Sequence, residues 1–330
     1  MTVSVCIPTY NQEKFIEQAV RSAYNQTFKP VEIVVSDDSS NDNTGFILRK
    51  LQDEIPILKV IWQETNQGIT KNVNTCLRGA QGDLIVRLDS DDILHKTYIE
   101  NFVPLFKSND NIGFGHCSIQ EIDSNGNNRK LRDLFRKEGI QNSNDALKEA
   151  IDGYKVAANI IIFRRKALEE VGFIKSTINF AEDYYLACSI SDFGYDNAYL
   201  KRRLASYRVW SDQGKLRSRR KLSEIMGLVA VYDEVLKPAF LRRNWPVKRI
   251  EIAKEKLAIR QADCLGWEVY SLAEKREIEA ELSKLSNSLK ARFFYYLHLH
   301  RLGSIVSLPK SVKNKLKMAL KSFLFKKQVQ

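Results

Sequence analysis

Over the first 120 residues, short apolar β-branched runs alternate with stretches of helical spacing. Val3 to Ile7, Val31 to Val35, Ile57 to Trp62, Leu84 to Leu88 and Ile112 to Ile119 read as strands. Between the first two, Phe15, Ile16, Ala19, Val20, Ala23 and Tyr24 share one helical face, and Phe46, Ile47 and Leu51 repeat the pattern. Strand and helix in alternation predict an α/β fold with a mostly parallel sheet flanked by helices. Three of these strands run out into polar residues: Pro8-Thr9-Tyr10-Asn11, Asp37-Asp38-Ser39-Ser40 and Asp89-Ser90-Asp91-Asp92. In open parallel sheets ligands bind just beyond the carboxyl ends of the strands, so the site is expected there.

The texture then changes twice. Residues 120 to 155, rich in Asn, Asp and Gly, read as a loop excursion before the apolar run Val156 to Phe163. After Tyr207 the spacing is helical. Leu222 to Leu236 reads as a helix stopped by Pro238, and Val247 to Tyr270 as one opened by Pro246. Ile278, Leu282, Leu285 and Leu289 continue the helical spacing. A boundary near residue 213 follows, dividing the chain into 1–212 and a helical region, 213–330.

Composition narrows the class. Of 330 residues, 44% are hydrophobic and 28% charged, which excludes a disordered or collagen-like chain. The cysteines, five in number, lack any C-x-x-C spacing and point to reduced thiols in a cytoplasmic setting. The start of the chain has no signal-peptide pattern, and no run reaches the ~18 apolar residues of a membrane helix. Charge is uneven: residues 201–330 carry 30 Lys and Arg against 12 Asp and Glu, while residues 1–200 are net −6. No acidic residue follows Glu281. A basic tail on an acidic body suits an anionic partner, either a membrane surface or nucleic acid.

Three carboxylates in four residues at the exit of a buried strand repel one another and call for a cation. Hard oxygen ligands suit Mg²⁺ or Mn²⁺ held jointly with a substrate's phosphates. Taken alone, this Asp-rich turn also reads as a helix cap, as do Asp37-Asp38 and the Pro8 to Asn11 turn. The residues by themselves leave both readings open. Zinc hydrolysis, nucleophile elbows, dinucleotide folds and P-loops lack their motifs.

Together the spacings are more specific. Val3 to Asn11, Val34 to Ser40, Asn66-Gln67-Gly68, Lys71-Asn72, Gly82-Asp83 and Leu88 to Asp92 occur in the order found in family 2 glycosyltransferases of GT-A fold, which this sequence resembles closely to about residue 95. Ala157 to Arg165, Glu182-Asp183 and Tyr207-Arg208 extend the resemblance more loosely; beyond about 215 it stops. The resemblance implies a nucleotide-sugar half at about 1–95 and an acceptor half at 96–212. It implies Thr9 and Asp38 on the nucleotide, with Pro8, Tyr10, Asn11, Lys71, Asp89 and Ser90 around the donor. Asp91 is implied as principal metal ligand, with Asp92 beside it. Asp183 is implied as catalytic base, with Glu182 on the acceptor side.

Physical need agrees with those roles, because inverting transfer requires a cation on the departing diphosphate and one carboxylate to take the acceptor's proton. Arg208 is the candidate guanidinium for the diphosphate, with Arg202, Arg203, Arg217 and Arg219 as substitutes and Lys71 and Arg87 as further charge partners. Many family members carry a His shortly after this Arg, where Trp210 and Ser211 stand here.

The expected activity is therefore metal-assisted transfer from a nucleotide-diphosphate sugar, UDP-linked, to a glycan or lipid-linked saccharide. Its rivals are a nucleotidylyltransferase and a non-catalytic scaffold. The tail, with Val312, Leu316, Leu320 and Phe323 at helical spacing among lysines, is expected on an anionic membrane surface at the inner face of the cell membrane. Packing against the body or in a homo-oligomer is the competing expectation, and nucleic acid lacks a reader motif.

Overall fold

In the computed structural model the described residues are 1–134, 136–175, 180–209 and 218–302. Of the elements expected in the first half, the five strands are present as β1 (Val3–Thr9), β2 (Glu32–Asp37), β3 (Leu58–Trp62), β4 (Leu84–Arg87) and β6 (Ile112–Ile122), and the two helices as α1 (Ile16–Tyr24) and α2 (Thr44–Glu54); α3 (Ile69–Gly79), the two-residue β5 (Ile93–Leu94) and α4 (Tyr98–Ser108) come in addition. Strand order in the sheet is β3-β2-β1-β4, then β9 (Ile161–Arg164), β6, β10 (Asp196–Arg208) and β5. The first four are parallel, β6 and β10 pair in parallel, and β9 runs antiparallel between β4 and β6. The sheet is thus mixed and mostly parallel. Its core is the apolar faces already legible in the sequence: Val3, Val5 and Ile7 of β1 and Ile33 and Val35 of β2 pack with Ile16, Ala19 and Val20 of α1.

Register places the chemistry. Thr9 lies opposite Asp37, and Leu88 donates its N–H to the Cys6 carbonyl, so the polar exits of β1, β2 and β4 reach one edge together. Next to them, β10 returns its own end, Arg208, beside Ile122 of β6.

Three expectations change. The 120–155 excursion contains β7 (Asn128–Arg132), β8 (Gly139–Gln141) and α5 (Ser143–Ala150). β7 is almost wholly exposed and polar, with no alternation to announce it; pairing with β6 is what makes it a strand. Pro238 does not stop the helix: α8 (Lys221–Ala230) passes through a π-helical stretch, Val231–Leu236, into α9 (Lys237–Arg242). The widened turns come just where the proline ring would otherwise meet the preceding carbonyl, so the chain stays helical. The expected helix to Tyr270 instead ends as α10 (Lys248–Gln261), and Ser271 opens α11 (Leu272–Leu285) with a reciprocal capping box to Glu274.

Two compact units result, one of 1–217 with 226–250 and the other of 218–225 with 251–330. In the first, α6 (Arg165–Glu170) and α7 (Glu182–Phe193) follow β9, and the Tyr232 hydroxyl donates to the Ile151 carbonyl at 2.6 Å. In the second, α12 (Leu289–Leu299) is fastened by the Tyr295 hydroxyl, which donates to the carbonyls of Leu282 and Ser286. Among the described residues no helix is long and apolar enough to cross a membrane. The five cysteines are free and buried.

Candidate active site

The Asp89 to Asp92 turn follows β4 directly, and its carboxylates have separate surroundings. Asp92 is fully buried; its Oδ1 accepts the backbone N–H of Arg208 at 2.8 Å, and its Oδ2 has no hydrogen-bond partner. Burial, then the charges of Asp91 and Asp89, push the Asp92 carboxyl well above the usual range. Asp89 is raised as well, by burial first, although Arg87 opposes the shift; Asn159 hydrogen-bonds it. The Ser90 side chain is buried between them in sequence.

Arg87, the last residue of β4, closes the inner side of the site. It is only 1% exposed. One terminal nitrogen donates to Asp183 Oδ1 at 2.8 Å, and the other to Glu182 Oε1 at 3.0 Å and Asp89 Oδ1 at 3.2 Å. Glu182 and Asp183 form the first turn of α7, entered through Ala181 in the left-handed region at φ 59°. The helix start and the candidate site are therefore the same residues, turned onto one guanidinium. Burial and the charge of Asp183 push the Glu182 carboxyl up to about 7.

The β1 and β2 exits form the third side. Thr9 is buried, with its hydroxyl unpartnered and its carbonyl accepting from the Asp38 N–H and the Asn72 amide. Asp38 accepts the backbone N–H groups of Gln67 at 2.8 Å and Gly68 at 2.9 Å, which fixes the Asn66-Gln67-Gly68 turn at the start of α3. Gly68 has φ 85°, a conformation that costs a glycine little. Asn11, itself at φ 52°, donates its N–H to Ser40 and accepts from Asn41, joining the two exits. Pro8 is half-buried, while Tyr10 and Lys71 are exposed beside them.

Arg208, the candidate fork for a diphosphate, is buried and its guanidinium is held by the protein. Nε donates to the Asp91 carbonyl, one terminal nitrogen to the carbonyls of Asp123 and Ser124, and the other to Gln18 Oε1, with the guanidinium over the Phe15 ring. It staples the Asp-rich turn to β10. Among the substitutes, Arg202 pairs with Asn101 and Glu138, and Arg203 offers its carbonyl to His95. Trp210, Ser211, Arg217 and the tail positions Val312, Leu316, Leu320 and Phe323 lie outside the described residues.

One position without any sequence signal also bears on the site. A Cβ on Gly227 would lie 2.2 Å from the Phe180 carbonyl oxygen, so only glycine lets this part of α8 abut the backbone leading into Glu182-Asp183.

Residues 4–172, just over half the chain, match the glycosyl transferase family 2 model. The chain belongs to this family. Its relatives include a Campylobacter jejuni GalNAc(5)-diNAcBac-PP-undecaprenol beta-1,3-glucosyltransferase, 31% identical over 52% of this chain and 54% of its own. Another is the Escherichia coli UDP-Glc:alpha-D-GlcNAc-diphosphoundecaprenol beta-1,3-glucosyltransferase WfgD, 34% identical over 37% of this chain and 47% of its own. The chain thus spans about half the length of such curated relatives. A mannosyltransferase from Pyrobaculum calidifontis, solved with GDP-Man and Mn²⁺, shares the fold at a TM-score of 0.57 and 20% identity, covering 96% of this chain and 83% of that one.

Proposed function

We propose that this family 2 glycosyltransferase moves a sugar from a UDP-sugar to a hydroxyl of a lipid-linked saccharide in one inverting displacement, with Asp183 as general base. The observation that carries the reading is the Arg87 fork: one guanidinium spans the strand exit at Asp89, assigned here to the donor, and the helix start at Glu182 and Asp183, assigned here to the acceptor. The relatives named for UDP-Glc and for undecaprenol-linked substrates support the donor and acceptor classes.

In this reading Thr9, Asp38, Asn11 and Tyr10 line the nucleotide side, with Pro8 shaping the turn and Lys71 at its rim. Asp89 and Ser90 border the ribose and diphosphate. The buried, unpartnered Asp92 Oδ2 and the clustered negative charge fit a divalent cation. Among the described residues no three His, Cys, Asp or Glu side chains form a metal cage by themselves, so an ion at Asp91 and Asp92 would need substrate phosphates and water as further ligands. Mn²⁺ or Mg²⁺ held by Asp91 with Asp92 would supply positive charge to the departing diphosphate. Asp183 takes the proton of the acceptor hydroxyl as its oxygen bonds to the anomeric carbon, and the bond to the diphosphate breaks with its electrons leaving on UDP. Glu182 stands beside the base on the acceptor side.

The lipid-linked acceptor fits a protein held at an anionic membrane. α12 exposes Leu289 (85%), Phe293 (57%) and Tyr296 (56%) along one face, next to Lys290 and Arg292. The deciding experiment is a panel of nucleotide sugars with an undecaprenyl-diphosphate-linked saccharide, reading UDP release and the anomeric configuration of the product. Release from UDP-sugars with inversion is expected; retention of configuration, or turnover only with a nucleoside triphosphate, overturns the reading.

A further inference from the structure

We infer that Arg87 is a positioning residue for the base: its fork orients Asp183 through Oδ1 so that Oδ2 is the oxygen presented to the acceptor, and it ties that orientation to the donor-side Asp89. The inference rests on the proposed role of Asp183 and deepens it. Asp183 begins a helix and Asp89 follows a strand, and neither element fixes its side-chain torsion by backbone alone. Arg87 supplies the missing constraint. Among the described residues, its bond to Oδ1 is the hydrogen bond made by the Asp183 carboxylate, so Oδ2 keeps its acceptor capacity. The nitrogen that reaches Glu182 also reaches Asp89, so a donor that pulls on Asp89 is felt by the group that aims the base. Arg suits this because its rigid planar fork aims its donors at carboxylates in fixed directions, whereas a lysine ammonium is a compact charge on a flexible stem and holds no such geometry.

The site's charge explains why removal alone would mislead. One cation against Asp89, Glu182 and Asp183 leaves a largely buried cluster of formal net −2 when all three are ionised, and deleting Arg87 would strand all three carboxyl groups. Arg87→Lys keeps the charge and loses the fork. A misaimed base slows chemistry without loosening the donor, so kcat should fall by roughly 10- to 100-fold while the KM for the UDP-sugar stays within about threefold. The effect must also vanish where there is no base to aim: Arg87→Lys added to Asp183→Asn should lower kcat by less than about twofold beyond Asp183→Asn alone. Should Arg87→Lys not fold, as read by circular dichroism and thermal unfolding, Arg87→Gln with Asp183→Asn keeps the cluster at net −2 and gives the same comparison.

Equal kcat for that pair and for Asp183→Asn supports the inference. A further loss of tenfold or more in the Asp183→Asn background, or a normal kcat in Arg87→Lys, overturns it. If Asp183→Asn itself turns over normally, it is the base assignment that fails, and the inference with it.

Discussion

The backbone N–H of Arg208 meets Asp92 Oδ1 at 2.8 Å, joining the end of β10 to the Asp-rich turn 116 residues earlier. That bond engages one Asp92 oxygen and leaves the other buried and unpartnered. An orphaned carboxylate oxygen beside two further Asp residues is costly unless a cation satisfies it. Mn²⁺ with UDP should therefore raise the melting temperature, and Asp91→Ala should abolish both that shift and turnover while the fold survives. Turnover unchanged in saturating EDTA would refute the metal assignment.

Asp183→Asn keeps the shape of the proposed base but cannot accept a proton. We predict a fall in kcat of about 10²- to 10⁴-fold with UDP-sugar affinity nearly unchanged. Loss of donor binding with normal turnover at saturation would move Asp183 to the donor site.

A Cβ on Gly227 would run into the Phe180 carbonyl, and Phe180 precedes the turn that carries the proposed base, Asp183. Gly227→Ala should shift that backbone, costing about 1–3 kcal/mol of stability as an overpacked contact does and lowering kcat several-fold. Calorimetry and steady-state kinetics check both effects, and a variant with wild-type Tm and kcat would show that α8 does not hold the turn.

Glu182 is raised to about 7 by burial and by Asp183, with Asp89 adding and Arg87 opposing. A carboxyl raised in the folded state favours folding at low pH, and that contribution is lost as pH climbs through the folded value. Between about pH 4.5 and 7 wild-type stability should thus decline through this group, by on the order of 1–3 kcal/mol. Glu182→Gln should unfold at higher temperature than wild type at pH 8 and show no such gain at pH 4.5. Parallel melting curves across that range would place the charge cost elsewhere.

Exposed Leu289, Phe293 and Tyr296 lie at i, i+4 and i+7 with basic neighbours, and the chain after Glu281 holds no acid. Binding to liposomes containing phosphatidylserine is expected to be salt-sensitive. Replacing the three by Ser should weaken it at least tenfold while α12 keeps its buried Ala291, Tyr295 and Leu297. Equal partitioning of the variant and the wild type would assign this face another role.

Local alternation was enough to announce the early strands and α1, because burial on one face writes period 2 or 3.6 directly into sequence. The polar exits after β1, β2 and β4 likewise pointed to one common edge, and there the structure brings them together, since a parallel sheet must end its strands together. What the sequence could not decide was which side chain meets which. Arg87 sits inside an apolar strand and was only one of several candidate cations. Its partners on α7 come 95 and 96 residues later and are brought to it by the packing of α7. Arg208 had the composition of a diphosphate ligand, yet the parallel pairing of β10 with β6 turns it inward onto Asp91, Asp123 and Ser124. Gly227 carries no signal at all in one dimension, because its necessity is the absence of a Cβ against a carbonyl from a distant segment. Sequence settled the early strands, the first two helices and the edge their polar exits share. Long-range pairing settled the partners, because a hydrogen bond is fixed by distance in space, which no local periodicity encodes.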